Sequence, residues 1–241
     1  MSAQILEKND LRLVEINGRS VFYLEKGAGS PTIYLHGFAD VHGVAGAFLP
    51  FHERLAMSTR LIAPAHPGCS GSTDLQDGYG VEDAVRHPER AKKLGLIGAA
   101  GLFVPGAHIA DIFMHTQPDR GMDYTTLRHM LFSSADAPLA LRYYPDGRGE
   151  LDEETRRYEM IRFASFIGFK PPYLYNRSLI ARLHRAKMPA AVVWGEWDHF
   201  VPRQHGEAYA ARLAGADKLH VVPRAGHAVQ MEAPDAVATI M

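Results

Sequence analysis

Gly226-His227 closes a short loop, Val221 to His227, that follows an apolar run. A histidine in such a loop can take up and return protons, because its ordinary pKa lies near neutrality. Asp198 lies in a comparable loop, Trp194-Gly195-Glu196-Trp197-Asp198-His199-Phe200-Val201-Pro202, after another apolar run. A carboxylate there can hold the histidine in one tautomer and stabilise its charged form. Gly37, in His36-Gly37-Phe38, follows the run Thr32–Leu35. A glycine at a strand end permits a sharp turn that aims a backbone amide, that of Phe38, at a developing oxyanion. Each feature alone also has a plainer reading. Asp198 suits a helix N-cap, Gly37 a simple turn, and His227 is one of 13 histidines. Taken together they form an ordered set, an acid after one strand and a base after the next.

The elements that must carry these loops are strands alternating with helices. Leu11–Ile16 and Ser20–Leu24 alternate around Asn17-Gly18, a strong hairpin signal. Thr32–Leu35, Arg60–Ala63, Lys93–Gly98 and Ala190–Trp194 are short, nearly continuous apolar runs, which suit strands buried on both faces. Lys218–Val222 reads as the last strand. Helices are expected over Val44–Met57, after Pro202, and from Glu232 to Met241. From about Phe103 to Lys187 aromatics and charges mix at helical spacing, as in Tyr158, Ile161, Ser165 and Phe166. That stretch reads as an inserted helical lobe. The expected organisation is a core of residues 1–102 and 188–241 with a lobe of residues 103–187. The fold class is α/β, a mostly parallel sheet with helices on both faces.

Composition narrows the function. The 241 residues are 46% hydrophobic and 22% charged, close to the globular average, so dominant disorder is excluded. Lys and Arg number 26 against 27 Asp and Glu, so nucleic acid is not an expected partner. A single cysteine, Cys69, fits a reducing compartment. No secretory leader and no apolar run of about 18 residues is visible, which leaves the cytoplasm as the expected location and no membrane partner. No His-Glu-x-x-His pattern occurs; His52-Glu53-Arg54-Leu55-Ala56 lacks the second histidine, so no metal is expected. No Gly-x-Gly-x-x-Gly follows a strand, so no nucleotide cofactor is expected either. The oligomeric state is not written in the sequence.

In their order along the chain these motifs resemble the α/β-hydrolase superfamily, especially its bacterial capped esterases and carbon–carbon bond hydrolases. His36-Gly37 resembles the oxyanion motif, and Pro67-Gly68-Cys69-Ser70-Gly71-Ser72 the proline-glycine loop. His87-Pro88-Glu89-Arg90 resembles the approach to the strand after the nucleophile helix. Trp194 to Pro202 resembles the acid loop and Gly226-His227 the histidine loop. The resemblance implies a helical cap at 103–187 and a Ser-His-Asp type triad. His227 is then the base, Asp198 its partner, and the turn at Gly37 with the Phe38 amide part of the oxyanion hole. It implies hydrolysis of a hydrophobic ester or a carbon–carbon bond in a small hydrophobic substrate.

One motif is missing. The superfamily's nucleophile elbow, small-x-Ser-x-small between a buried strand and a helix, has no match in context. Gly68-Cys69-Ser70-Gly71-Ser72 has the letters, but it follows Pro64 and Pro67 and leads into a polar stretch. Ser70 is therefore a weak candidate nucleophile and Cys69 a weaker one. Ser72 and Lys93 are 21 positions apart. A helix, a strand, the elbow and a second helix need roughly 40 residues or more. Gly80-Val81-Glu82-Asp83 resembles the start of the first of those helices, and Ala84 to Arg90 the end of the second. The expectation is a chain with about 30 residues deleted, its central nucleophile strand missing, and activity weak or nil. A non-catalytic small-molecule binder on the same fold is the alternative, with the lobe aromatics Phe103, Phe113, Phe132, Tyr143, Tyr144, Phe163, Phe166 and Tyr173 lining a pocket or forming lobe core.

Overall fold

The computed structural model describes residues 11–37, 40, 48–66, 72–73, 92–112, 124–146 and 174–241. They fall into two compact units, one within residues 11–73 and one within 92–241.

The first unit is a four-stranded sheet. Strand β1 (Leu11–Ile16) and β2 (Arg19–Lys26) pair antiparallel, Leu11 opposite Leu24 and Ile16 opposite Arg19. Asn17 and Gly18 join them with φ of 51° and 74°. Two successive left-handed residues match the twist of a two-residue hairpin, which is why Asn-Gly marked this turn. Strand β3 (Pro31–Ile33), helix α1 (Pro50–Ala56) and β4 (Arg60–Pro64) complete the unit. The sheet order is β1-β2-β4-β3, with β2–β4 antiparallel and β3–β4 parallel. Pro50 opens α1, where its missing N–H is no loss.

Strand β3 departs from expectation. It is shorter than Thr32–Leu35, and its apolar side chains are not buried on both faces. Ile33 is 67% exposed and Leu35 50%. Among the described residues β3 is an outermost strand, with no strand paired beyond it.

The second unit begins with β5 (Leu94–Ile97) and β6 (Gly101–Leu102). Helices α2 (Tyr124–Leu131) and α3 (Pro138–Tyr143) follow, then β7 (Tyr175–Asn176), α4 (Leu179–Arg182) and β8 (Ala190–Gly195). It ends with α5 (Arg203–Arg212), β9 (Ala216–Val222), α6 (Val229–Glu232) and α7 (Pro234–Ile240). Strands β5, β8 and β9 form a parallel sheet in that order, and β6 pairs parallel with β7. Every residue of the central strand β8 is buried, as its unbroken apolar run requires. Among the described residues β5, like β3, is an outermost strand.

The expected helix from Glu232 to Met241 is two helices. Pro234 offers no N–H and disfavours helical geometry in the residue before it. Ala233 accordingly leaves the helical region, φ −134°, and the chain bends there. Just past α2 and α3, Phe132 and Tyr144 are core: each is 1% exposed, and their rings meet edge to face at 6.1 Å, while Tyr143 is half-buried. Beneath them the buried Arg128 donates to Tyr144 O at 2.6 Å and Asp146 Oδ1 at 2.8 Å. Phe103 instead stacks on Tyr175 at 5.2 Å, with the Arg177 guanidinium over its ring. Phe113, Phe163, Phe166, Tyr173 and the stretch around Tyr158 lie outside the described residues.

Candidate active site

Strands β8 and β9 are parallel neighbours, so the loops at their carboxyl ends emerge side by side. Those loops carry Asp198 and His227. Three backbone-level contacts stitch them together. Glu196 N–H donates to Val222 O at 3.0 Å, Trp197 N–H donates to Ala225 O at 2.9 Å, and Arg224 N–H donates to Glu196 Oε2 at 2.8 Å. The approach is close because Gly195 has no side chain. A Cβ there would lie 2.0 Å from Gly226 O and 2.5 Å from Ala225 O.

Asp198 Oδ1 accepts the amides of Phe200 (3.0 Å) and Val201 (2.8 Å). Oδ2 lies 2.9 Å from His227 Nδ1. Asp198 is therefore not the N-cap of α5, which starts behind Pro202; it caps the turn before that helix. Its side chain is 1% exposed and that of His227 12%. A carboxylate with two amides on one oxygen stays an acceptor on the other, so the contact selects the tautomer in which Nδ1 carries the proton and, in the neutral ring, Nε2 the lone pair. No described residue bonds Nε2. The Phe200 ring stands perpendicular to the imidazole at 4.8 Å. Gly98, just past β5, lies under its edge: a Cβ there would come within 3.1 Å of Cε1 and 3.2 Å of Nδ1. The imidazole is thus held on three sides, and Nε2 has no hydrogen-bond partner among the described residues.

The chain is 46% identical to a 2-hydroxy-6-oxo-6-phenylhexa-2,4-dienoate hydrolase of Burkholderia cepacia, with 97% of this chain and 95% of that protein covered. The chain belongs to the α/β-hydrolase superfamily. That match extends over 283 aligned positions, more than the 241 residues of the chain, so the relative has residues without a counterpart here. A 2-hydroxy-6-oxononadienedioate/2-hydroxy-6-oxononatrienedioate hydrolase of Comamonas testosteroni is 31% identical over 160 residues. The chain spans about half of that relative's length, 54%. Among solved structures, a serine hydrolase involved in carbazole degradation has the same fold, with a TM-score of 0.68 at 17% identity and 95% of each chain covered. No protein-family model matches the chain.

The other residues that the sequence singles out fall within the first unit. Gly37 N–H donates to Asp40 Oδ1 at 2.6 Å, and Tyr34 Oη donates to Asp40 Oδ2. Asp40 is fully buried. The Gly37 amide is thereby engaged within its own turn. Phe38, whose amide follows it, lies outside the described residues, as do Cys69 and Ser70. His36 packs edge to face on His66 at 4.2 Å. His66 N–H donates to His36 Nε2 at 3.3 Å, and His36 Nδ1 lies 3.0 Å from Gly37 O. Burial pushes His36 down to about 4 and His66 to about 3, the neighbouring ring adding to the second. Sequence reasoning missed this Tyr34–Asp40–Gly37 knot and the histidine pair behind it. An aspartate three residues after the motif's glycine was the only local signal. Among the described residues no group of histidines, cysteines or carboxylates is arranged to hold a metal ion. No helix among them is long and apolar enough to cross a membrane.

Proposed function

We propose that His227 is the general base and acid of a hydrolase that acts on a hydrophobic ester or carbon–carbon bond. Asp198 orients its imidazole, and the turn at Gly37 presents the Phe38 amide as one oxyanion donor. Residues 103–187 are the cap that shapes the leaving-group pocket. What carries this reading is the His227–Asp198 pair, held at 2.9 Å with no partner for Nε2 among the described residues. In such a triad the base draws the proton from a serine hydroxyl as it attacks the carbonyl carbon, then returns it to the leaving group.

We propose further that this 241-residue form has lost its nucleophile elbow and is weakly active or inactive. Three observations support that reading. Only 21 positions separate Ser72 from Lys93. The aligned relative has residues that this chain lacks. The strands expected to flank the nucleophile strand, β3 and β5, are each outermost in their own sheets among the described residues. Without the nucleophile, the dyad retains at most the modest enhancement that binding and an oxyanion donor supply.

The test treats the folded protein with a serine-directed fluorophosphonate, followed by intact mass and a peptide map. The expected result is no stoichiometric adduct and only residual turnover of an activated ester. A single adduct that disappears in His227→Ala would overturn the loss of the nucleophile, and the map would name the residue, with Ser70 checked first. Tight binding of a hydrophobic ligand with no turnover, unaffected by His227→Ala, would favour a binding protein on the same fold.

A further inference from the structure

Glu232 ends α6, five residues after His227. It does not touch the imidazole, yet its carboxylate gathers three donors. Oε2 accepts the Gly226 amide at 2.6 Å and the Ser133 amide at 3.2 Å. Oε1 accepts Ser133 Oγ at 2.6 Å and shares the Ser133 amide at 3.0 Å. Two of the three groups are backbone amides that can only donate, and the third is a hydroxyl that can turn its proton inward; an ionised carboxylate accepts from all three.

We propose that Glu232 is a positioning residue for His227. It acts by fixing the Ala225–Gly226 peptide, which leads into the histidine; the inference rests on His227 being the catalytic base. Gly226 directly precedes His227, and its N–H belongs to the Ala225–Gly226 peptide, so the bond to Glu232 fixes the backbone one peptide ahead of the histidine. On the far side, Ala228 N–H donates to Leu131 O at 2.8 Å. His227 is thus pinned on both flanks to the end of α2, once through Glu232 and once directly. Gly226 lies flat on that helix end: a Cβ there would fall 2.6 Å from Phe132 C and 2.8 Å from Leu131 O. With the backbone held at Gly226 and Ala228 and the ring held at Nδ1 by Asp198, the direction of Nε2 is determined. A small misplacement of a base is enough to lose much of its effect. If Glu232 is released, the Ala225–Gly226 peptide keeps, among the described residues, only the bond from Trp197 N–H to Ala225 O and can tilt about it, and the Nδ1–Oδ2 hydrogen bond is the first contact to lengthen.

The experiment is proton NMR of the full chain with nitrogen-15 labelled histidine. It follows the low-field Nδ1–H signal of His227, assigned by its loss in Asp198→Asn. In Glu232→Gln the amide NH2 faces a donor and one tie is lost. The expected result is a cooperatively folded variant whose Nδ1–H exchanges with solvent roughly tenfold faster, or whose signal vanishes. Ser133→Ala removes one donor from the same carboxylate and is expected to speed exchange less. A folded Glu232→Gln with the parent's signal and exchange rate overturns the proposal. Where Glu232→Gln does not fold, an unchanged rate in Ser133→Ala overturns it. Failure of the hydrolase reading is seen separately, as turnover or labelling indifferent to His227→Ala, and leaves the exchange result standing.

Discussion

Asp198 serves two masters with one carboxylate. Oδ1 closes the turn at Phe200 and Val201, while Oδ2 faces His227. Removing it strands buried donors, each worth about 1–3 kcal/mol. Asp198→Ala is therefore expected to lower stability by at least about 2 kcal/mol in urea unfolding, whatever happens to activity. A loss below about 0.5 kcal/mol would mean that water replaces the carboxylate. The histidine pair makes a pH prediction. Folded His36 and His66 stay neutral down to about 4 and 3, while the unfolded chain protonates them near 6.5. The unfolded state binds more protons in that window, so stability falls as pH drops from about 6.5 towards 4 and is unaffected above it. Urea midpoints across this range test the slope, and His36→Gln is expected to flatten it. That Asp198 and His227 follow two successive strands was legible in the sequence, because residue type and strand-end position are local facts. Glu232 was not, because its donor Ser133 is 99 residues away. Gly98 was hidden for the same reason, since only the fold brings it to the imidazole.

At the scale of elements, the pairing of the β8 and β9 loops depends on a missing side chain. Gly195→Ala would place Cβ against the Gly226 and Ala225 carbonyls, which are backbone and cannot swing aside. The expected loss is about 3 kcal/mol or more in thermal or urea unfolding, together with loss of the His227 Nδ1–H signal. Strand β3 makes the opposite prediction. Ile33 is exposed, so Ile33→Thr should shift stability by less than about 0.5 kcal/mol. A cost above 1 kcal/mol would show that something covers it. The hairpin could be read outright because Asn17-Gly18 states its turn type. The buried run of β8 could be read as well. The exposure of β3 could not, since Thr32–Leu35 looks the same whether or not a neighbouring strand exists. The bend at Ala233 was available in principle: Pro234 marks it, and the longer helix pattern overrode the signal.

For the whole molecule, the proposed loss of a segment between Ser72 and Lys93 makes a constructive prediction. Inserting the corresponding segment of a relative, about 30 residues carrying strand, elbow and helix, between Ser72 and Lys93 should raise the unfolding temperature. It should also create one fluorophosphonate-reactive serine, with reactivity lost in His227→Ala. An insertion that folds yet stays unlabelled would show that the dyad does not face that segment. The stitching of the Asp198 and His227 loops carries a further consequence, for descent. Gly195, Asp198 and Glu232 each hold backbone that the fold needs, apart from any reaction. Mutations that removed them would be eliminated as folding defects even in a lineage that no longer hydrolyses anything. On the proposed loss of the nucleophile, the Asp198–His227 pair would therefore persist with the scaffold, and a descendant that acquired a serine at the right place would find its partner already waiting.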